Sequence, residues 1–226
     1  MKIEKIKQEN NHTLVICMTG WSISPEFMRS LPIPATADYW LVYDYRDLRF
    51  EESFEKYEHV HLIAWSLGVW VASYLWSGKT LFESTTAING TPYPIDDQRG
   101  IPTAIFEGTL QTISENGMKR FNRRMCGDKE TFQKYNAYPA RPLEAVKEEL
   151  AFLHQMIRTT TGTFSEDQIF KLWDRTIIAT NDRIFPTQNQ RNCWMNQCPI
   201  TEIDAPHLPF FQDLIMDELW KRPQQN

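Results

Sequence analysis

No apolar stretch in this chain of 226 residues approaches membrane-spanning length, so a role as a membrane span is set aside. Positive charge is not in excess either. Lys and Arg number 24 against 29 Asp and Glu, and the formal net charge of -5 argues against nucleic acid as the main partner. Cysteine is sparse: Cys17, Cys126, Cys193 and Cys198 are scattered as in a reduced protein, and a cytoplasmic location is the expectation. Cys193 and Cys198 lie close together, but no second Cys or His pair completes a tetrahedral site, so no metal is expected. Internal repeats and low-complexity segments are lacking too. Met1 to Lys7 alternates charged and apolar residues and reads as a first strand rather than a leader.

What is present is material for a core. Hydrophobic residues make up 42% and aromatics 13%, enough for one large domain or a core domain carrying an insertion. Thr13 to Met18, Tyr39 to Tyr43, His59 to Ile63, Thr85 to Asn89 and Thr176 to Thr180 are continuous apolar runs, as in strands buried on both faces. Helical patterns separate several of them, which predicts an α/β fold with a mostly parallel sheet. Between Pro102 and Trp173 the alternation stops. Four helical stretches follow one another there: Thr103 to Met125, Lys129 to Tyr135, Pro142 to Thr160, and Glu166 to Trp173. The expectation is an α/β core of residues 1–101 and 174–226, with 102–173 inserted as a helical cap over the carboxyl ends of the strands. The alternative is that these helices merely cover one sheet face.

The most telling stretch is His61-Leu62-Ile63-Ala64-Trp65-Ser66-Leu67-Gly68-Val69-Trp70. An apolar strand runs into small-x-Ser-x-Gly, and an apolar helix follows at once. This is the pattern of a nucleophile elbow, where a sharp strained turn thrusts a serine hydroxyl out and leaves no room for bulk two residues away. An idle serine on an ordinary strand-turn-helix is the competing account.

A serine nucleophile needs a base, and the base needs a carboxylate to orient it. Two histidines follow Ser66. His154 sits in the apolar helix Leu150 to His154 and reads as a core residue, whereas His207 lies in a loop between a final strand and a final helix. Asp182 follows the run Thr176 to Thr180 and is the expected acid, with Asp204 as fallback; Asp174 precedes its strand and sits at the wrong end. Two backbone N–H groups must also hold the developing oxyanion. The residue after the nucleophile, Leu67, is one source, and Trp21 in Thr19-Gly20-Trp21-Ser22 is the other.

Met18-Thr19-Gly20-Trp21-Ser22, Tyr43-Asp44-Tyr45-Arg46, Ala64 to Trp70, Ala87 to Pro92, Phe121-Asn122-Arg123-Arg124-Met125-Cys126, Asp182 to Pro186 and Pro206-His207 together resemble one small bacterial family. It is the short form of the pimeloyl-acyl-carrier-protein methyl ester esterases of biotin synthesis, and the likeness runs from the first strand to the final helix. The resemblance implies an α/β-hydrolase with a helical cap and a Ser66–His207–Asp182 triad, without metal or organic cofactor. It also implies cleavage of the methyl ester at the far end of a pimeloyl chain still attached to its acyl carrier protein. A different α/β-hydrolase reaction, such as thioester cleavage, short-chain carboxylesterase activity or a lyase step, would use the same triad. A non-catalytic interaction module on the same fold is the alternative from another class.

Carrier proteins are strongly acidic, so a basic patch is expected on an enzyme that receives one. Lys119-Arg120 with Arg123-Arg124 is the densest basic cluster. Arg120, Arg123 and Arg124 share one helical face by their spacing and are the candidate docking residues. Pairing with nearby Glu115 or Glu148 would instead make them an ordinary solvated face. Nothing in the sequence sets the oligomeric state; a monomer is the expectation.

Overall fold

Seven strands form one sheet in the computed structural model, which describes residues 1–160 and 162–211. They are β1 (Lys2–Lys7), β2 (Thr13–Met18), β3 (Ala37–Tyr43), β4 (His59–Trp65), β5 (Ser84–Ile88), β6 (Arg175–Ala179) and β7 (Ile200–Ile203). The order across the sheet is β1-β3-β2-β4-β5-β6-β7. Only β1 runs antiparallel, on the edge beside β3; every other pairing is parallel. The apolar runs that predicted doubly buried strands are buried: every residue of β3 and β6, and all of β2 but its first. The chain from β2 steps to β3 on one side, then crosses to β4 on the other. At such a reversal the loops leaving the strands diverge and open a crevice at the carboxyl ends.

Eight helices lie among the described residues. α1 (Pro25–Arg29) follows β2; its Ser24 cap accepts from Phe27 N–H and Pro25 occupies the first turn. α2 (Leu67–Trp76) follows β4. Then α3 (Thr103–Gln111), α4 (Glu115–Cys126), α5 (Lys129–Tyr135), α6 (Leu143–Thr159) and α7 (Glu166–Phe170) come in succession before β6, and α8 (Thr187–Trp194) precedes β7. β5 and β6 still pair directly, Thr86 with Arg175 to Ile88 with Ile177. The helical block therefore interrupts the sequence and leaves the sheet continuous.

The helix expected over Thr103 to Met125 is two helices. Thr112 turns its hydroxyl back onto the Gly108 carbonyl (2.8 Å), and Ser114 is extended, its Oγ accepting from the Gly117 N–H at 3.1 Å. A serine that caps a new helix offers the backbone a better partner than the old helix does. α7 stops short of its expected end at Trp173. α1 was not anticipated, and the expected final helix lies outside the described residues.

Candidate active site

β4 delivers Ser66 into a turn with φ 59° and ψ -129°, a conformation rare for a residue bearing a side chain. The turn is held by the Ser66 N–H donating to Ile88 O (2.9 Å) and by close backbone approach. A Cβ on Gly68 would lie 2.5 Å from both the Met18 and Thr19 carbonyl oxygens, and one on Gly20 would lie 2.8 Å from Ser66 Cβ. These contacts explain why small residues flank the serine. Ser66 heads α2, so its hydroxyl sits at the positive end of a helix.

Ser66 Oγ is 3.0 Å from His207 Nε2, and His207 Nδ1 is 2.8 Å from Asp182 Oδ2. All three residues are buried. Ser66 follows β4, Asp182 follows β6 and His207 follows β7, so the carboxyl ends of parallel strands supply all three. The Asp182 carboxylate is otherwise surrounded by neutral donors. Its Oδ1 accepts from the N–H groups of Ile184 (2.8 Å) and Phe185 (2.9 Å), and Oδ2 accepts from Gln190 Nε2 at 3.0 Å. The His207 carbonyl accepts from Trp65 Nε1 and Asn89 Nδ2, both at 2.9 Å. The imidazole lies between the rings of Trp65 and Phe185, the latter stacked at 6.0 Å. A base held at its backbone, against two aromatic rings and at Nδ1 has little freedom to turn.

The other candidates fall elsewhere. Asp204 accepts from Asn181 Nδ2 (2.6 Å) rather than meeting His207. Asp174 accepts from the N–H and hydroxyl of Thr85 near the start of β6. His154 of α6, half-buried, stacks on Phe106 of α3, far from a role as the base for Ser66.

Trp21 and Leu67 both line the pocket above Ser66. As the first residue of α2, Leu67 has no carbonyl a turn earlier in its own helix to receive its N–H. The Trp21 side chain is anchored away from the sheet: Nε1 donates to the Val146 carbonyl of α6 at 2.7 Å, and the ring meets Phe121 of α4 edge-on at 5.0 Å. The pocket walls are mainly apolar, with Ile101, Ile105, Phe106, Phe121, Met125, Leu150 and Ile184 around the hydroxyl and Arg124 and Arg183 among them. Its free space is about 30 Å³, room for roughly two waters. A larger groove of about 600 Å³ between α3 and α4 shares Ile105, Thr109, Phe121 and Arg124 with this pocket, and Arg120 and Arg123 line it.

Arg120, Arg123 and Arg124 are all exposed. Among the described residues no carboxylate pairs with any of them, and Arg123 instead lies over the Phe132 ring at 5.4 Å. Glu148 is taken by Arg46 (2.9 Å). No His, Cys, Asp and Glu cluster able to hold a metal occurs among the described residues, and none of their helices is long and apolar enough to cross a membrane.

Sequence reasoning missed Gln190, Asn89 and the side-chain role of Trp65. Trp65 and Asn89 lie within quoted motifs, but what their side chains hold shows only through contacts made across the fold, and Gln190 belongs to no local motif.

A second charged cluster ties the helical block to the sheet. Glu149 of α6, fully buried, accepts from the Tyr45 N–H and from Arg141, both at 2.7 Å, and Arg141 also reaches Asp44 at 3.0 Å. Burial pushes the Glu149 carboxyl up in pKa despite Arg141. Asp44 is also raised by burial, but hydrogen bonding from Arg46 and the charges of Arg141 and Arg46 bring it below the ordinary carboxylate value.

Comparisons with known proteins bear on the fold and the family. A crystal structure of BioG from Haemophilus influenzae is 36% identical, covers 98% of this chain and 100% of its own, and superposes with a TM-score of 0.90. Naproxen esterase from Bacillus subtilis shares only 13% identity but the same fold, with a TM-score of 0.63 over 96% of this chain and 84% of its own. A malonyl-acyl-carrier-protein O-methyltransferase from Bacteroides fragilis is 40% identical over 199 residues, which are 85% of this chain and 39% of that protein. Residues 1–216 match the family described as pimeloyl-ACP methyl esterase BioG. With an α/β-hydrolase sheet beneath it and that match along nearly its whole length, the chain belongs to the BioG family of pimeloyl-ACP methyl esterases.

Proposed function

We propose that this chain is a serine esterase that removes the methyl ester from pimeloyl-acyl-carrier protein, releasing methanol and a free carboxylate in biotin synthesis. The observation that carries the reading is the 3.0 Å approach of Ser66 Oγ to His207 Nε2, on a turn strained at Ser66 and with Asp182 behind the imidazole.

In this reading Ser66 attacks the ester carbonyl while His207 takes its proton and Asp182 steadies the imidazolium that forms. The tetrahedral oxyanion is held by the Trp21 and Leu67 amides, a term worth about 3 kcal/mol per donor. His207 then returns the proton to the departing methoxide. Water, deprotonated by the same base, attacks the acyl-enzyme carbonyl and frees the carboxylate and Ser66. Neither metal nor organic cofactor is called for.

Residues 102–173 act as a cap in this scheme. The groove between α3 and α4 leads the acyl chain towards Ser66, and Arg120, Arg123 and Arg124, having no carboxylate of their own among the described residues, receive the acidic carrier. The apolar walls suit a methylene chain. The Bacteroides fragilis relative supports the same chemistry: this chain resembles part of a protein described as methylating a carrier-linked acid, the reverse change at the same kind of group. The cytoplasm, where carrier and product are used, is the proposed location.

The test is mass spectrometry of the carrier after incubation of pimeloyl-carrier methyl ester with the protein. The expected result is loss of the mass of one CH2, as ester becomes acid. Loss of the whole acyl group makes the protein a thioesterase. An unchanged carrier, together with failure of a fluorophosphonate to label Ser66, leaves a hydrolase fold that does no hydrolysis.

A further inference from the structure

We infer that Gln190 is a positioning residue of the reaction, acting through Asp182; this rests on the reading of Ser66, His207 and Asp182 given above. Gln190 lies in the first turn of α8 and is fully buried. Its Nε2 donates to two acceptors, Asp182 Oδ2 at 3.0 Å and the Phe185 carbonyl at 2.8 Å. Both neighbours are oxygens that only accept, so the amide has one sensible orientation: reversed, it would set three oxygens against one another.

That orientation is held at a cost. Gln190 Oε1 is buried and has no hydrogen-bond partner among the described residues. An apolar side chain of similar volume would remove that orphan but leave the Phe185 carbonyl and one Asp182 lone pair without their donor, so the amide is kept for its two donor contacts. The reason lies in what the donors hold. Oδ2 is the same oxygen that faces His207 Nδ1 at 2.8 Å, while Oδ1 is already occupied by two backbone N–H groups. Three neutral donors thus fix the plane of the carboxylate and leave its remaining lone pair aimed at the imidazole. The second bond of Gln190 fixes the Phe185 backbone, and the Phe185 ring is stacked on His207 with an interplanar angle of 10°. One amide therefore braces both the acceptor and one wall of the base. α8 itself is tied to β6 through Thr187 Oγ1, which donates to the Ala179 carbonyl at 2.9 Å. The brace stands on the sheet, away from the helices that contact substrate.

The experiment is a double-mutant cycle on kcat and KM for the carrier-linked ester with Gln190→Met, Asp182→Ala and the two combined. Gln190→Met is expected to lower kcat about 10- to 100-fold, less than the ~10⁴-fold that a misplaced triad carboxylate costs, with KM nearly constant and a modest drop in the unfolding midpoint from the stranded Phe185 carbonyl. In the Asp182→Ala background the same change is expected to cost much less, because the carboxylate it positions is gone and only its hold on the Phe185 wall of His207 remains. Gln190→Asn, which keeps an amide but withdraws it from reach, is expected to show the same kcat loss and serves if the Met variant does not fold. Wild-type kcat in both variants, or a loss that repeats in full on top of Asp182→Ala, overturns the assignment. If Asp182→Ala alone leaves kcat intact, it is the triad reading that falls.

Discussion

Two of the buried charged sites among the described residues, around Asp182 and around Glu149 and Asp44, are built on opposite plans. Asp182 is surrounded by backbone N–H groups and one amide, all neutral, with a single titratable neighbour in His207. Glu149 and Asp44 share the guanidinium of Arg141, with Arg46 and Lys2 adding further cations at Asp44. A carboxylate satisfied by neutral donors keeps its negative charge available, so a proton arriving on the adjacent imidazole is stabilised. A carboxylate already matched by arginine has that charge spent on holding two pieces of chain together. The first arrangement suits proton movement and the second suits attachment.

The largest effects that test this contrast lie at the first cluster. Ser66→Ala and His207→Ala are each expected to lower kcat by about 10⁴-fold or more; the first leaves the unfolding curve in place, while the second lowers the midpoint through the cavity left beside Asp182. Steady-state kinetics beside urea unfolding checks both halves. Asp182→Asn keeps the shape and removes the charge; kcat is expected to drop by roughly 10³- to 10⁴-fold, again with little change in midpoint.

The second cluster is expected to respond the other way. Arg141→Met strands Glu149 and part of Asp44 in a buried site, and a loss of about 3–5 kcal/mol in unfolding free energy is expected. Below its lowered melting point the variant is expected to keep most of its kcat on a small ester. A variant that lost kcat with no loss of stability would erase the distinction between the two plans.

Further out, Arg120→Glu with Arg123→Glu tests the groove without touching the Ser66 pocket, which Arg124 also lines. The ratio of kcat/KM for the carrier-linked ester to that for a small ester is expected to fall about tenfold, with a weaker dependence on salt. An unchanged ratio would remove this helix face from docking.

The smallest effect is in pH. The folded pKa of Asp44 lies below its unfolded value, so its contribution to stability is present above the unfolded pKa and is lost as pH falls through the folded one. Glu149, raised by burial, has the opposite sign: its contribution declines as pH rises through its folded pKa. Asp44→Asn, tolerated at the observed φ of 56°, is expected to flatten the acid limb of stability measured by urea midpoint.

Much of this was legible in the sequence wherever a local rule governs. The strands of the sheet announce themselves as apolar runs because both their faces are covered. The serine announces itself because the elbow needs small residues at fixed offsets. His207 and Asp182 follow from their places after particular strands. The α3–α4 break was missed because helical periodicity continues through Thr112 and Ile113 and only the capping serine ends it. Arg141, Glu149 and Gln190 were missed for a different reason. Their partners are supplied by distant segments, and charged or amide side chains on helices are ordinarily surface residues.

One contact carries a mechanical consequence. The last turn of α4 offers the Met125 carbonyl to the Leu208 N–H at 2.9 Å, one residue past His207, while Phe121 on the same helix presses on Trp21. A helix pinned at its C-terminal end has a pivot there and its longest lever arm at Ser114. Were the far end of α4 to swing outward, the space over Ser66 would widen while the bond at Met125 held the histidine loop in place.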